Sequence, residues 1–254
     1  MRIGFLGCSL DALTMARTVE LIDSAVAEGR FTQHSVVNVA KLVHMREDAE
    51  LRAAVESCDI VNIDGMGVVW GARLMGFDVP ERVAGIDLFY ELLSLSQAKG
   101  HGVFLLGATQ DVVALAATKI AVMYPALEIA GVHHGYFWDD QEKTVEAVRR
   151  SGARLLFVAI SSPLKEKFIA RWRDQLGVTF VMGVGGTFDV VAGKVRRAPR
   201  WMQRFGLEWL YRLIQEPRRM WKRYLVTNLK YSVLLVRAAL ASSVSMMDKL
   251  GGRN

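Results

Sequence analysis

Cysteine is nearly absent from this chain, and the little that is present carries no motif. Cys8 and Cys58 are the only two cysteines, and neither belongs to a Cys-x-x-Cys pair. A disulfide framework is therefore excluded, and a reducing compartment is the default. The opening MRIGFLGC superficially resembles a lipoprotein cleavage box, but no charged start and apolar region of about 7–15 residues fit before Cys8. We expect a cytoplasmic protein.

Metal-binding patterns are missing as well. The five histidines show no His-x-His or His-Glu-x-x-His spacing, and no Asp-x-Asp occurs. The first absence argues against a zinc site. The second argues against a divalent ion that bridges a nucleotide diphosphate. We expect neither a metal nor another cofactor, so a charged leaving group would be met by arginine, backbone amides or helix dipoles.

The dinucleotide fingerprint Gly-x-Gly-x-x-Gly is also incomplete. FLLGATQD (104–111) is a predicted strand, a glycine and a helix start, which is a common geometry for binding nucleotide phosphates. Gly107 is thus a candidate ligand contact, and a simple tight turn is the alternative. Without the full fingerprint and its ribose-binding acid, a Rossmann-type oxidoreductase is disfavoured.

What the chain has is apolar residues and a concentrated positive charge. Its 254 residues are 52% hydrophobic, enough for one large core or two small ones. Residues 194–230 hold eleven Lys or Arg and two Glu, a net charge of +9, so the rest of the chain carries −3 of the total of +6. The basic residues are Lys194, Arg196, Arg197, Arg200, Arg204, Arg212, Arg218, Arg219, Lys222, Arg223 and Lys230. Such local basicity indicates a site or a surface.

Apolar runs alternate with segments of helical spacing, which predicts an α/β fold. The predicted strands are 35–39, 59–63, 102–107, 127–132, 154–160 and 178–184; the predicted helices are 11–29, 41–57, 67–76, 86–99, 110–123, 141–151 and 164–176. Near-continuous apolar strands predict a parallel sheet with helices on both faces. The sequence IGFLGC is expected to form or follow an opening strand.

The alternation stops after Val191, so we expect an α/β core (residues 1–193) followed by a basic, helical appendage (residues 194–254). Residues 199–224 show helical spacing with aromatic residues on one side and arginines on the other. The run 231–247 has 17 residues with Arg237 near its middle, at the lower limit for a membrane-spanning helix. A helix lying on the membrane surface or packed on the protein is the favoured alternative.

Three places carry candidate site residues. Asp64 ends a predicted strand, where a carboxylate points into the crevice of a parallel sheet; a helix cap is the alternative. Arg82 and Asp87 flank Gly85 before a helix, and Arg82 either binds a diphosphate or forms a surface ion pair. The turn GVGGTFDVVAG (183–193) has four glycines, which let backbone N–H groups approach an anion. Its candidate contacts are Gly185, Gly186, Thr187 and Asp189.

These pieces together resemble the WecG/TagA/CpsF glycosyltransferases. The resemblance runs over about residues 30–230 and rests on Asn38 after a strand, DGMGVVWGARLMG (64–76), ERVAGIDL (81–88), FLLGAT (104–109), GVGGTFDVVAGKVRRAP (183–199) and GLEWLYRLIQEPRRMWKRY (206–224). It implies a Rossmann-like α/β core and a basic appendage that meets the inner face of the cell membrane.

The resemblance also implies chemistry and roles. The expected reaction is transfer of a sugar from a UDP-sugar to an undecaprenyl-diphosphate-linked sugar, with inversion, in surface polysaccharide synthesis. Asp64 matches the family's Asp-Gly motif and is the expected base, and Asn38 matches an asparagine of its pocket. Arg82 and residues 183–189 match positions near the diphosphate and uridine. Arg212, Arg219 and Arg223 would meet the lipid diphosphate, with Trp209, Tyr211 and Trp221 at the lipid boundary.

Two departures from the family pattern are present. Val36 stands where the family often has threonine, so a pocket hydroxyl is missing. Lys165 stands where the family often has glutamine, which brings a cation that can pair with a phosphate or a carboxylate. The hypothesis is that the donor differs from UDP-N-acetylmannosamine and is a uronic acid or a plain hexose.

One rival function uses the same basic, aromatic segment. A nucleic-acid-binding protein would show salt-sensitive binding of DNA or RNA through these arginines. That hypothesis gives no role to the glycine turn or to the crevice around Asp64. We therefore expect no nucleic acid partner. The resemblance is also compatible with a homo-oligomer.

Overall fold

The computed structural model describes residues 1–251, except the side chains of Arg219 and of residues 242–251. Its centre is one eight-stranded sheet of order β1-β2-β4-β3-β8-β7-β5-β6. The strands are β1 Arg2–Phe5, β2 Cys8–Asp11, β3 Thr32–Val37, β4 Ile60–Ile63, β5 Val103–Gly107, β6 Ile129–His133, β7 Leu155–Ala159 and β8 Phe180–Gly183. Every pairing except β1 with β2 is parallel. The predicted strands and the α/β fold class are confirmed.

The antiparallel pair is a hairpin at one edge of the sheet. Phe5 faces Cys8, so only Leu6 and Gly7 form the turn, and both have positive φ (48° and 75°). Two-residue turns with positive φ at both positions match the twist of paired strands. The predicted opening strand is therefore present, followed by a second strand that the sequence did not indicate.

The helices that cover the sheet are α1 Met15–Ala27, α2 Val39–Glu47, α3 Ala49–Glu56, α4 Met66–Leu74, α5 Gly85–Lys99, α6 Gln110–Met123, α7 Gln141–Arg150, α8 Leu164–Trp172 and α9 Thr187–Val191, with a 3-10 turn at Trp138–Asp140. The segment predicted as one helix over 41–57 is two helices. Asp48 divides them because its side chain accepts from the amide of Leu51, 2.9 Å away, and caps α3.

Both faces of the sheet are buried, as predicted. Along β5, Val103 and Leu105 belong to the apolar cluster that includes residues of α1, α5 and α6. Phe104 and Leu106 belong to the cluster that includes residues of α7 and α8. Successive side chains of a strand point to opposite faces, so a strand covered on both sides is apolar throughout.

The appendage is helical, with α10 Arg200–Arg204, α11 Glu208–Gln215 and α12 Pro217–Gly251. α12 packs on the core through Tyr231, which is 6% exposed and whose hydroxyl donates to the carbonyl of Gly67 at 2.8 Å. A Cβ on Gly71 would lie 2.2 Å from that hydroxyl oxygen, so glycine is needed where α4 meets α12. Among the residues described, no helix is long and apolar enough to cross a membrane. Residues 242–247 of the apolar run have side chains outside the described set.

Candidate active site

Asp64 follows β4 at the edge where the parallel strands end. Its backbone amide donates to the carbonyl of Val37, at the end of neighbouring β3, at 3.0 Å. Gly65 occupies the N-cap position of α4, and no side chain caps this helix. Asp64 therefore does not cap α4; its carboxylate instead accepts from the amide of Gly85, the first residue of α5.

The surroundings of Asp64 suit a group that exchanges a proton near neutral pH. Burial raises the pKa of its carboxyl to about 6; the positive charge of Arg82 opposes the rise and the negative charge of Glu208 adds to it. The amide of Gly85 and the charge of Lys41 also lower the pKa. A perturbed carboxyl in a crevice is a functional-site candidate.

Asn38 lies beside Gly65, the residue that follows Asp64. A Cβ on Gly65 would be 3.3 Å from both Cα and Cβ of Asn38, so the two loops pack closely. The side-chain oxygen of Asn38 accepts from the amide of Lys41 at 3.0 Å and caps α2. With that oxygen engaged, its amide N–H groups are what Asn38 can offer a ligand.

Arg82 and Asp87 form ion pairs with the appendage. The guanidinium of Arg82 contacts the carboxylate of Glu208. Asp87 receives two hydrogen bonds from Arg197, at 2.5 and 2.7 Å. Glu208 and Arg197 are further candidate site residues; both lie in motifs of the resemblance, but the sequence analysis gave neither a role because their contacts with Arg82 and Asp87 join distant segments.

The glycine turn after β8 lies open toward the crevice. Gly185 has φ +55°, and no described atom lies within 4 Å of a Cβ built on it. Arg212 of α11 reaches across the turn, with a guanidinium nitrogen 2.9 Å from the place of a Cβ on Gly186. The Asp189 carboxylate lies 3.8 Å from the same point. The hydroxyl of Thr187 donates to the carbonyl of Val184 at 2.8 Å, so it stabilises the turn.

Gly107 has a packing reason to be glycine. Its φ is +129°, and a Cβ would lie 2.4 Å from the carbonyl oxygen of Ala159 on β7. This close approach is what the tight-turn alternative requires. A contact between Gly107 and a ligand stays a prediction.

Lys165 is part of a buried charge cluster. Its ammonium lies 2.8 Å from Glu166, and the same carboxylate oxygen lies 2.7 Å from the ammonium of Lys41. Burial and the charge of Lys41 lower the pKa of Lys165 to about 8, although Glu166 opposes this. Burial disfavours the charged form of Glu166, but the two lysines hold its pKa at about 2. Two cations and one anion leave this lysine–glutamate cluster with one net positive charge.

Arg212, one of the three appendage arginines that the sequence analysis chose, lies beside the glycine turn at Gly186. Arg223 is exposed on α12, and its charge helps to lower the pKa of Lys165. The side chain of Arg219 lies outside the described residues. The structure therefore brings Asp64, Asn38, Arg82, the 183–189 turn and Arg212 to one edge of the sheet.

Comparison with known proteins decides the family. A family model described as glycosyl transferase WecG/TagA/CpsF matches residues 3–245. The chain belongs to this family.

This WecG/TagA/CpsF protein is similar to two Bacillus enzymes called N-acetylglucosaminyldiphosphoundecaprenol N-acetyl-beta-D-mannosaminyltransferase. It is 40% identical to the one from Bacillus subtilis (strain 168) over 191 residues, which are 75% of this chain and 73% of the relative. It is 37% identical to the one from Bacillus spizizenii over 197 residues, 78% of this chain and 76% of the relative. The predictions of a glycosyltransferase and of its family are confirmed, and the nucleic-acid hypothesis is not supported.

The appendage of this WecG/TagA/CpsF protein presents large apolar side chains to solvent. Trp201, Phe205, Trp209 and Trp221 are between 41% and 66% exposed. Along α12, the exposed apolar residues are Leu225, Val226, Leu229, Val233, Val236 and Leu240. Contiguous apolar exposure beside basic residues is typical of a surface that meets a membrane or another protein.

Proposed function

We propose that this glycosyltransferase moves a sugar from a UDP-sugar to a saccharide on undecaprenyl diphosphate, with inversion, in synthesis of an exopolysaccharide, capsule or teichoic-acid-type polymer. The observation that carries the proposal is the Asp64 carboxyl, at the carboxyl end of β4 with a pKa of about 6. At neutral pH such a carboxyl is mostly ionised and is still basic enough to take a proton in a transition state.

In the proposed step, the acceptor hydroxyl attacks the anomeric carbon from the side opposite to UDP. Asp64 takes the hydroxyl proton while the new C–O bond forms. The old C–O bond breaks, and its electron pair leaves on the diphosphate of UDP. One displacement of this kind inverts the anomeric configuration.

The leaving diphosphate requires positive charge at the crevice. The open glycine turn supplies backbone N–H groups. Arg82 carries several N–H donors, so its contact with Glu208 leaves others for a phosphate oxygen. We propose that these groups replace a metal ion in stabilising the departing charge.

The acceptor would approach from the appendage. Arg212 and Arg223 suit the lipid diphosphate, since guanidinium groups bind phosphates bidentately. The exposed tryptophans and the apolar side of α12 suit the headgroup region of a bilayer, and basic residues suit anionic lipids. We therefore place the enzyme at the inner face of the cell membrane, as a peripheral protein. Self-association stays a prediction.

The identity of the donor sugar depends on Lys165. The names of the Bacillus relatives favour N-acetylmannosamine as the transferred sugar and N-acetylglucosaminyldiphosphoundecaprenol as the acceptor. The lysine–glutamate cluster favours a donor with an extra negative group, because it holds one more cation than anion beside the charge of Arg223. We propose a donor other than UDP-N-acetylmannosamine, with a uronic acid first and a plain hexose second.

A panel of UDP-sugars tests the donor proposal. Lys165→Gln leaves Glu166 paired with Lys41, so the fold should survive. The variant should lose at least about tenfold in kcat/KM for the preferred acidic donor and less for neutral sugars. Lys143→Gln, at an exposed lysine of α7, is the control. A strict preference of the wild type for UDP-N-acetylmannosamine, unchanged in Lys165→Gln, would refute the proposal.

Release of UDP tests the proposed function itself. UDP should appear only when a UDP-sugar and a lipid-diphosphate acceptor are both present. Added DNA or RNA should not inhibit UDP release at physiological salt. An enzyme that releases no UDP with any sugar and acceptor of these classes would contradict the proposal.

A further inference from the structure

Glu208, the first residue of α11, lies at the junction of core and appendage. Its carboxylate contacts the guanidinium of Arg82, and its other oxygen lies 3.5 Å from Nε of Arg197. The side chains of Arg82 and Glu208 are 13% and 27% exposed, so solvent screens this contact less than a surface pair. Its position is therefore defined by two arginines, one from each part of the chain.

The ion pairs at this junction cross between the two parts. The core contributes Arg82 and Asp87, and the appendage contributes Glu208 and Arg197. Each part thus offers one charge of each sign to the other. The arrangement favours one docked position of α11, the same position that puts Arg212 over the glycine turn.

Glu208 also acts on the expected base. Its negative charge raises the pKa of Asp64, and the positive charge of Arg82 lowers it. A carboxylate that engages Arg82 therefore opposes the influence of this guanidinium on Asp64. Removal of the Glu208 charge would make Asp64 a weaker base in both ways.

We propose that Glu208 is a positioning residue of the sugar transfer: it docks the acceptor-binding appendage through Arg82 and keeps that guanidinium from fully neutralising the Asp64 carboxylate. The inference rests on the proposed function. The inference goes beyond the proposed function because it links docking of the appendage at the crevice to the basicity of Asp64.

Glu208→Gln tests the inference, because it keeps the shape of the side chain and removes its charge. The acidic limb of the pH profile of kcat should move to lower pH by about half a unit or more, since the pKa of Asp64 falls. At neutral pH, kcat should fall about tenfold, because Arg82 and α11 are less well placed. A contact that served only to hold the helix would leave the limb where it is.

Two further variants are the controls. Glu208→Asp keeps the charge and should keep the wild-type limb, with kcat well above that of Glu208→Gln. Glu47→Gln removes another ion pair between core and appendage, the contact with Lys230. Glu47 is the last residue of α2, about 13 Å from Asn38 at the N-cap by the rise of a helix. Glu47→Gln should leave the acidic limb at the wild-type pH and change kcat by no more than about twofold.

Two results would overturn the positioning role. One is an acidic limb in Glu208→Gln equal to that of the wild type, and the other is equal kcat in Glu208→Gln and Glu208→Asp. Both require a wild-type enzyme that releases UDP with a lipid-diphosphate acceptor. A wild type that releases none would instead contradict the proposed function, so the two failures are distinguishable.

Discussion

The core and the appendage contribute charge to the same crevice in different ways. The core charges are partly buried or paired: burial raises the pKa of Asp64, which is half-buried, and Lys165 shares Glu166 with Lys41. In the appendage, Arg212 and Arg223 are exposed to solvent, as are several tryptophans. Fixed charges in a dry site suit the reacting groups, whose positions do not change. Exposed charges beside apolar side chains suit a partner outside the chain.

The largest expected effect on activity comes from removing the appendage. Truncation at about residue 195 should abolish activity on the lipid acceptor, because Arg212, Arg223 and the apolar surface of α12 are lost. The core should still bind UDP, measured by calorimetry, since the glycine turn lies before the cut. Full activity of the truncated chain on the lipid acceptor would refute the role of the appendage.

The pH dependence of kcat tests the role of Asp64 in the core. If Asp64 is the base, kcat should fall about tenfold per pH unit below about pH 6, because its carboxyl becomes protonated there. The sign follows from the raised pKa, since only the ionised form accepts the proton. Initial rates between pH 4.5 and pH 8 measure it, with circular dichroism as the control for folding. A constant rate down to about pH 4.5 would contradict this assignment.

A smaller effect tests the contact between the two parts. Gly71→Ala should displace Tyr231 and lower the free energy of unfolding by about 1–3 kcal/mol, since its Cβ meets the tyrosine hydroxyl. The better helix propensity of alanine offsets part of this loss. Gly4→Ala on β1, where a Cβ meets no described atom within 4 Å, is the control in thermal or urea unfolding. Equal stability of the two variants would show that α12 does not need this glycine.

The parts of the fold that depend on local pattern were predictable from the sequence. The six parallel strands and the place of Asp64 followed from apolar runs and from the rule that ligands bind at the carboxyl ends of strands. The hairpin of β1 and β2 was not predicted as two strands, because each strand has four residues and the Leu6–Gly7 turn lacks a typical turn pair.

Contacts between distant segments were beyond sequence reasoning. Glu208 contacts Arg82 although the two residues are 126 positions apart, and the motifs that contain them do not predict that they meet. Lys165 was expected to pair with a phosphate or a carboxylate; the structure pairs it with Glu166 in a cluster that also holds Lys41, and the sequence did not indicate which carboxylate. Each depends on how α8, α11 and the strand ends pack, which only the folded chain specifies.

The most direct test of the account is the rate of acceptor-dependent UDP release by Asp64→Asn. Asparagine keeps the size of the side chain and cannot take the proton. The account predicts normal UDP binding, a normal melting temperature and a kcat about 10²–10⁴-fold below that of the wild type. Near-normal turnover by Asp64→Asn would contradict the claim that Asp64 is the base.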